Sequence, residues 1–289
     1  MICNSKNIAI LINSCDSYCD VWPLFFTAFM EYWPKCPYKV YLNSETKSYS
    51  HPGLDIVCLN LGAKSELEPW GKRFRNSLKA IESKFVINLF DDFVLENAVN
   101  TQEIERCVAW LEEFDDVAVF YFSHIVGVNN SESIFTNFTL VPQWTDYRLN
   151  SAPAIWRRDA LLKFSGPSDT PWAWEFFGSA RTYLSKLKFY CAKPECENIY
   201  VYNYKQGGAI HRGKWVRSVV EPLIRRHSIE IDLKIRGLAA EGRSSHPHSF
   251  IWKVNFLVTG FKMINIAVFI FMFRAVWKRR PALFGARWA

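Results

Sequence analysis

The residues best equipped for chemistry lie in LFDDF, positions 89–93, where an apolar run ends abruptly in Asp91 and Asp92. A buried strand that ends in two carboxylates carries them past the C-terminal edge of its sheet, where open α/β sheets bind ligands. Successive strand side chains point to opposite faces, so one of the pair faces a ligand unless the chain turns there. Carboxylate oxygens are hard ligands that suit Mg²⁺ or Mn²⁺, and such ions bridge and neutralise phosphates. An acidic pair after a strand also serves turn and cap chemistry, and the neighbouring sequence tips the balance. Just ahead lies PWGKRFRNSLKAIE (69–82), with Phe74, Leu78 and Ile81 on one helical stripe and Lys72, Arg73 and Arg75 among its basic residues. A basic helix leading into an acid-tipped strand sets guanidinium groups near phosphates held by a metal.

The elements that must position these groups alternate. NIAILIN (7–13) reads as a buried first strand followed by turn formers at Ser14–Ser17, and DVWPLFFTAFMEYW (20–33) as a helix with Asp20 as its N-cap. Strands are expected at 39–42, 55–59, 85–90 and 117–122, with a helix at 101–114 capped by Thr101. This alternation predicts a mixed, mainly parallel sheet covered by helices, a Rossmann-like α/β fold. Beyond about 123 the pattern breaks into strands within 133–140 and 147–156 and helices at 158–164 and 172–187.

Composition narrows the class. The 289 residues are 49% hydrophobic, 16% aromatic and 22% charged, enough apolar chain for a sizeable core, which excludes a disordered or fibrous protein. Eight cysteines are too few for a disulfide scaffold at this length, and no two pairs fall at zinc-finger spacing, so reduced thiols in a cytosolic compartment are expected. The opening MICNSKNIAILINS lacks a basic region ahead of a long apolar run and reads as strand, not as a targeting peptide. Net charge is +7, but residues 203–289 carry 16 Lys and Arg against 4 Asp and Glu, while the rest of the chain is mildly acidic. Such a tail meets something anionic.

The stretch WGKRFRNSLKAIESKFVINLFDDF (70–93) resembles the core of a GT-A type glycosyltransferase, in which an Arg-bearing helix precedes a strand ending in a short acidic motif. CDSYCDVW (15–22), YWPKCPY (32–38), LNSAPAIWRRDALL (149–162), WEFFGSAR (174–181) and GGAIHRGKW (207–215) extend the likeness to bacterial enzymes of surface polysaccharide and lipopolysaccharide assembly. The resemblance implies a catalytic domain over 1–215, with a nucleotide-sugar half to about 122 and an acceptor half beyond it, and a basic helical extension over 216–289. It implies Asp92 as the carboxylate that binds Mn²⁺ or Mg²⁺, with Asp91 assisting or contacting the ribose. The sequence has DDF instead of a full D-x-D, which leaves open which oxygen meets the metal. Arg73 or Arg75 would contact the donor, Asp16 would sit near the base, and His211 would complete the metal shell. Glu175 would be the base that takes the proton of the acceptor hydroxyl, giving an inverting transfer. The aromatic residues around Glu175 suit either a sugar platform or a core.

The tail adds a partner. Residues 250–273 are long enough to cross a bilayer, but Lys262 at their centre costs ~2.5–3.5 kcal/mol on insertion. The uncharged stretch from 263 to 273 is only 11 residues, short of the ~18 a span needs. Asn255, Thr259, Lys262 and Asn265 form a polar stripe, and Arg274, Lys278, Arg279 and Arg280 follow. An in-plane helix on an anionic membrane surface is expected, with burial against the catalytic domain or in a dimer as the other reading. The enzyme would then sit in the cytoplasm, peripheral on the inner face of the membrane, and act on a glycan or a lipid-linked acceptor. Two further readings are a sugar nucleotidyltransferase and a non-catalytic membrane- or nucleic-acid-binding module. The former calls for a glycine-rich phosphate loop, and Asn13–Asp20 holds no glycine; for the latter, no nucleic-acid motif is present.

Overall fold

The computed structural model describes residues 7–131, 133–196, 199–240 and 249–273. Its centre is an eight-stranded sheet in the order β3-β2-β1-β4-β7-β5-β8-β6. The strands are β1 (Ile8–Asn13), β2 (Lys39–Leu42), β3 (Ile56–Cys58), β4 (Phe85–Phe90), β5 (Val117–Tyr121), β6 (Phe138–Leu140), β7 (Ala154–Arg157) and β8 (Lys188–Ala192). β1 pairs in parallel with β2 and β4, β2 with β3, and β5 with β8. β7 is antiparallel to both its neighbours, and β6 to β8. The chain enters β7 from the edge at which β5 ends, where Phe122 N donates to Pro153 O at 2.8 Å, so β7 must run the other way. This is the mixed, mainly parallel sheet expected of a Rossmann-like α/β fold.

The alternation of β1 assigns the two faces. Ile8, Ile10 and Ile12 join one core with α1 (Trp22–Tyr32) and α3 (Thr101–Glu113). Ala9 and Leu11 join a second core with α2 (Trp70–Ala80) and α4 (Arg158–Phe164). With every β1 residue buried, a shift of one residue would exchange the Ile and Ala/Leu sets between differently shaped cores. β1 has β2 on one side and β4 on the other, so the chain reverses its winding between β1 and β4. Crevices of this kind, beyond the strand ends, bind ligands.

Several local expectations change. The N-cap of α1 is Val21 and not Asp20, because the Asp20 carboxylate is taken by Arg236, at 2.7 Å to Nε and 2.5 Å to Nη2. Asn100 caps α3 instead of Thr101, its side chain accepting from Glu103 N at 3.0 Å. The long helix expected over 172–187 is α5 (Pro171–Phe176) followed by one tight turn at Gly178–Thr182. The strands expected at 133–140 and 147–156 both form but are shorter, as β6 and β7 near the ends of those spans.

The core also continues across position 215. A two-stranded hairpin of β9 (Ile210–His211) and β10 (Lys214–Trp215) leads into α6 (Arg217–His227), which packs on α1 and adds Val219, Val220 and Leu223 to the first core. α7 (Phe250–Ile264) lies on α5 and the turn after it, with Gly260 seated on Phe177. A Cβ at Gly260 would fall 2.7 Å from that ring. Helical chain over 267–273 completes a third apolar cluster through Val268 and Phe271. Among the described residues no helix is long and apolar enough to cross a membrane. Arg274, Lys278, Arg279 and Arg280 lie outside them.

Candidate active site

A cleft of about 870 Å³ opens at the C-terminal ends of β1 and β4, a volume suited to a nucleotide-sized ligand. Its floor is Asn13, Ser14 and Cys15 from β1 and the turn after it, with Phe90, Asp91 and Asp92 from β4. Trp70 and Arg73 of α2 form one wall, and Thr170, Pro171 and Trp172 at the start of α5 form another. Ile210, Arg212 and Gly213 of the hairpin and Trp252, Asn255, Phe256 and Thr259 of α7 complete it.

The two carboxylates differ in their engagements. Asp91 is buried and accepts a hydrogen bond from Ser14 Oγ, whose own oxygen accepts from Trp22 Nε1 at 2.6 Å. The indole directs the single Ser14 proton at Asp91 and holds that carboxylate in place. Burial pushes the Asp91 carboxyl up to about 7, against the lowering effects of Ser14 and Arg236. Asp92 faces the cleft, and no donor of another described residue reaches its carboxylate. Burial, and then the charge of Asp91 beside it, raise the Asp92 pKa well above the ordinary value. Two adjacent, desolvated carboxylates repel, and a cation between or beside them removes that penalty.

That donor set is compatible with Mn²⁺ or Mg²⁺. Among the described residues no group of three His, Cys, Asp or Glu side chains could hold a metal ion. Mg²⁺ commonly keeps several waters and is bound by one or two carboxylates together with substrate phosphates, a requirement Asp92 and Asp91 meet.

The two arginines of α2 part company. Arg73 lines the cleft and ion-pairs through Nη1 with the buried Glu45, while its Nε is buried without a partner. Arg75 points the other way: its Nη1 donates to Leu162 O at 2.6 Å and to Ser165 O, tying α2 to the end of α4. Residues two apart on a helix lie about 200° apart, which is why spacing alone left the pair undecided.

Asp16 does not line the cleft. It accepts from Thr46 Oγ1 at 2.6 Å and from the amides of Glu45, Thr46 and Lys47 at 2.9–3.1 Å. Desolvation would raise its pKa, but these bonds outweigh it and bring the value down to about 2. Asp16 thereby anchors the loop after β2, and so Glu45, and through Glu45 the Arg73 guanidinium. On the far side, Arg236 lies 4.0 Å from the Tyr18 ring centroid while holding Asp20, which backs a tyrosine of the cleft wall.

Glu175 stands one turn along α5 from Pro171 and Trp172 but, unlike them, is not among the residues that line the cleft. Its Oε1 accepts from Ser151 N at 2.7 Å and Ser151 Oγ at 2.5 Å. Burial raises its pKa despite those bonds. The buried Tyr202 feels both carboxylates, Asp92 and Glu175, which add to the desolvation that raises its phenol. Trp174 and Phe177 are core, whereas Trp172 is half exposed on the cleft.

His211 lies away from the carboxylates. It is exposed in β9 and lines a separate groove with Lys205, Arg217 and Arg225, because the hairpin sends alternate side chains to opposite faces. Its neighbour Arg212 takes the cleft side, at φ +51°, exposed and with no ionic partner among the described residues. The hairpin is fixed over the acidic turn by Ala209 N, which donates to Asp92 O at 2.8 Å. Arg212 and Gly213 form the two-residue turn between β9 and β10, both at positive φ. Nothing in the sequence pointed to Arg236.

No family model matches the chain, and no curated protein matches it. Among solved structures it is similar to S. aureus TarS 1-349, at 14% identity over 91% of this chain and 82% of that one, with a TM-score of 0.47. The same TarS fragment in complex with UDP-GlcNAc gives 15% identity, coverage of 80% and 69%, and a TM-score of 0.40. A cytidylyltransferase from Leptospira borgpetersenii serovar Hardjo-bovis gives 11% identity, coverage of 82% and 99%, and a TM-score of 0.40.

Proposed function

We propose that the chain is a metal-dependent glycosyltransferase that moves a sugar from a nucleotide-sugar donor to a hydroxyl of a glycan or lipid-linked acceptor in cell-surface polysaccharide synthesis. The observation that carries this reading is the convergence of an unengaged Asp92, a fixed Asp91, Arg73 and Arg212 on one nucleotide-sized cleft at the β1/β4 crossover.

Asp92, with Asp91 behind it, would hold Mn²⁺ or Mg²⁺, whose chemistry is to neutralise the diphosphate as it departs. Arg73 donates to the same diphosphate from the α2 wall, and Arg212 from the hairpin above it. Trp70 and Tyr18 offer faces for the base, and Trp172 one for a sugar. Glu175 takes the proton of the acceptor hydroxyl while that oxygen attacks the anomeric carbon. The bond from that carbon to the diphosphate oxygen breaks with its electron pair leaving on the nucleoside diphosphate. Attack opposite the leaving group inverts the anomeric centre. The basic tail holds the enzyme on the inner face of the cell membrane, where anionic headgroups attract it.

A panel of nucleotide sugars, incubated with and without Mn²⁺ or Mg²⁺, tests the reading without a known acceptor. Metal-dependent release of nucleoside diphosphate from one donor, abolished in Asp92→Ala, is the expected result. Release of pyrophosphate from a nucleoside triphosphate and a sugar phosphate would establish a nucleotidyltransferase instead. A folded protein that turns over neither class would sink both.

A further inference from the structure

α7 has two working faces. Trp252, Asn255, Phe256 and Thr259 turn toward the cleft that holds Asp91 and Asp92, and Gly260 rests on Phe177. At 100° per residue these positions centre on one side of the helix, and Phe250, Ile251, Val254, Leu257, Val258 and Phe261 centre on the opposite side. All six are exposed, Phe250 at 80% and Ile251 at 71%. Phe269 and Phe273, beyond the turn at Asn265, are exposed as well. An exposed apolar helix face of this kind marks an interaction site. The polar stripe read from the sequence thus belongs in part to the cleft: Asn255 and Thr259 line it, Asn255 while still exposed.

Charge identifies the occupant. Lys253 and Lys262 are exposed and flank the apolar face on its two sides, where their stems can lie along it with the ammonium groups at its rim. Residues 250–289 contain seven Lys and Arg and no Asp or Glu. Two copies pairing through this face would set like charges against each other, whereas an anionic bilayer supplies both the apolar interior and the counter-charge.

We propose that the outer face of α7 lies in the plane of an anionic lipid bilayer while its inner face walls the catalytic cleft, so that the acceptor is a lipid-linked glycan reaching the cleft along α7. The docking stands on the surface alone; the acceptor class rests on the glycosyltransferase reading.

Flotation of the full chain with vesicles of phosphatidylcholine, or of phosphatidylcholine and phosphatidylglycerol at about 70:30, tests the docking. The chain should float with the anionic vesicles, and a Val254→Asp/Val258→Asp/Phe261→Asp variant should lose at least about tenfold in affinity. These positions are exposed, so the variant should keep its melting temperature and its hydrolysis of the donor. No flotation, flotation retained by the variant, or a dimer in light scattering that the variant dissociates would each overturn the docking. Supplied with labelled donor and native membranes, the wild type should label an organic-soluble product and the variant should lose that labelling. Label confined to water-soluble glycan would overturn the acceptor class. Absence of donor hydrolysis in both proteins would refute the enzymatic reading and with it the acceptor class, while flotation still decides the docking.

Discussion

Gly208 stands directly against Asp92: a Cβ there would lie 2.8 Å from the Asp92 carbonyl oxygen and 3.1 Å from Oδ2. Its φ of +104° is also a conformation that side chains resist. The glycine therefore lets the hairpin settle over the acidic turn and bring Arg212 to the cleft. Gly208→Ala should cost about 1–3 kcal/mol of stability in denaturant titration and lower donor hydrolysis, since relief of the clash moves either the hairpin or Asp92.

Arg73 and Arg75 should separate cleanly. Arg73→Lys keeps a charge beside the buried Glu45 but loses the planar fork, and should reduce donor turnover by about a hundredfold with a small change in melting temperature. Arg75→Ala strips two carbonyl oxygens of a charged donor and should cost about 1–3 kcal/mol of stability. Turnover per folded molecule should stay as in the wild type. Steady-state kinetics paired with thermal melts decide it, and the reverse pattern would exchange the two roles.

The proposed base, Glu175, carries an expected pH profile. A base must be deprotonated, so transfer should rise with pH through the Glu175 pKa, which burial sets above the ordinary carboxylate value. The Ser151 hydrogen bonds lower that pKa, and Ser151→Ala removes one of them. The acid limb of the transfer rate should therefore move to higher pH in Ser151→Ala. In Glu175→Gln the remaining transfer should lose that limb.

Acid stability tests the Asp16 anchor. Its folded-state pKa is about 2 against an ordinary value of 3.8. A depressed value means the contribution is complete above about pH 4 and is lost as pH falls through about 2. Asp16→Asn should lower stability at pH 7 by on the order of 1 kcal/mol after solvent screening, and the difference from wild type should shrink between pH 4 and pH 2. Urea titrations at a series of pH values give the comparison.

The first half of the chain was largely legible because its strands are short apolar runs with turn residues at each end, and every one of them formed within a residue or so of its expected span. β7 was harder to read. Its sequence, AIWR, carries no mark of direction, and its antiparallel course follows from where the preceding loop delivers it. In the site, residue types at strand ends, Asp91 and Asp92, were visible from the pattern. Rotations about a helix or hairpin were not: which of Arg73 and Arg75 faces the cleft, or whether His211 or Arg212 does, depends on packing against α4 and the acidic turn. Glu45 was missed because a buried carboxylate in a polar loop reads as solvated until the Arg73 that pairs with it is placed in space.

Arg236 meets Asp20 across 216 residues of chain, and rests on Tyr18 as it does so. During synthesis the amino-terminal strands and helices emerge long before that guanidinium exists, so Asp20 and the Tyr18 ring wait for this clasp while the Asp16 end of the same loop can already be held by residues 45–47. A product that stops short of residue 236 would carry Asp91, Asp92 and Glu175 yet lack the clasp that steadies the tyrosine of the cleft wall.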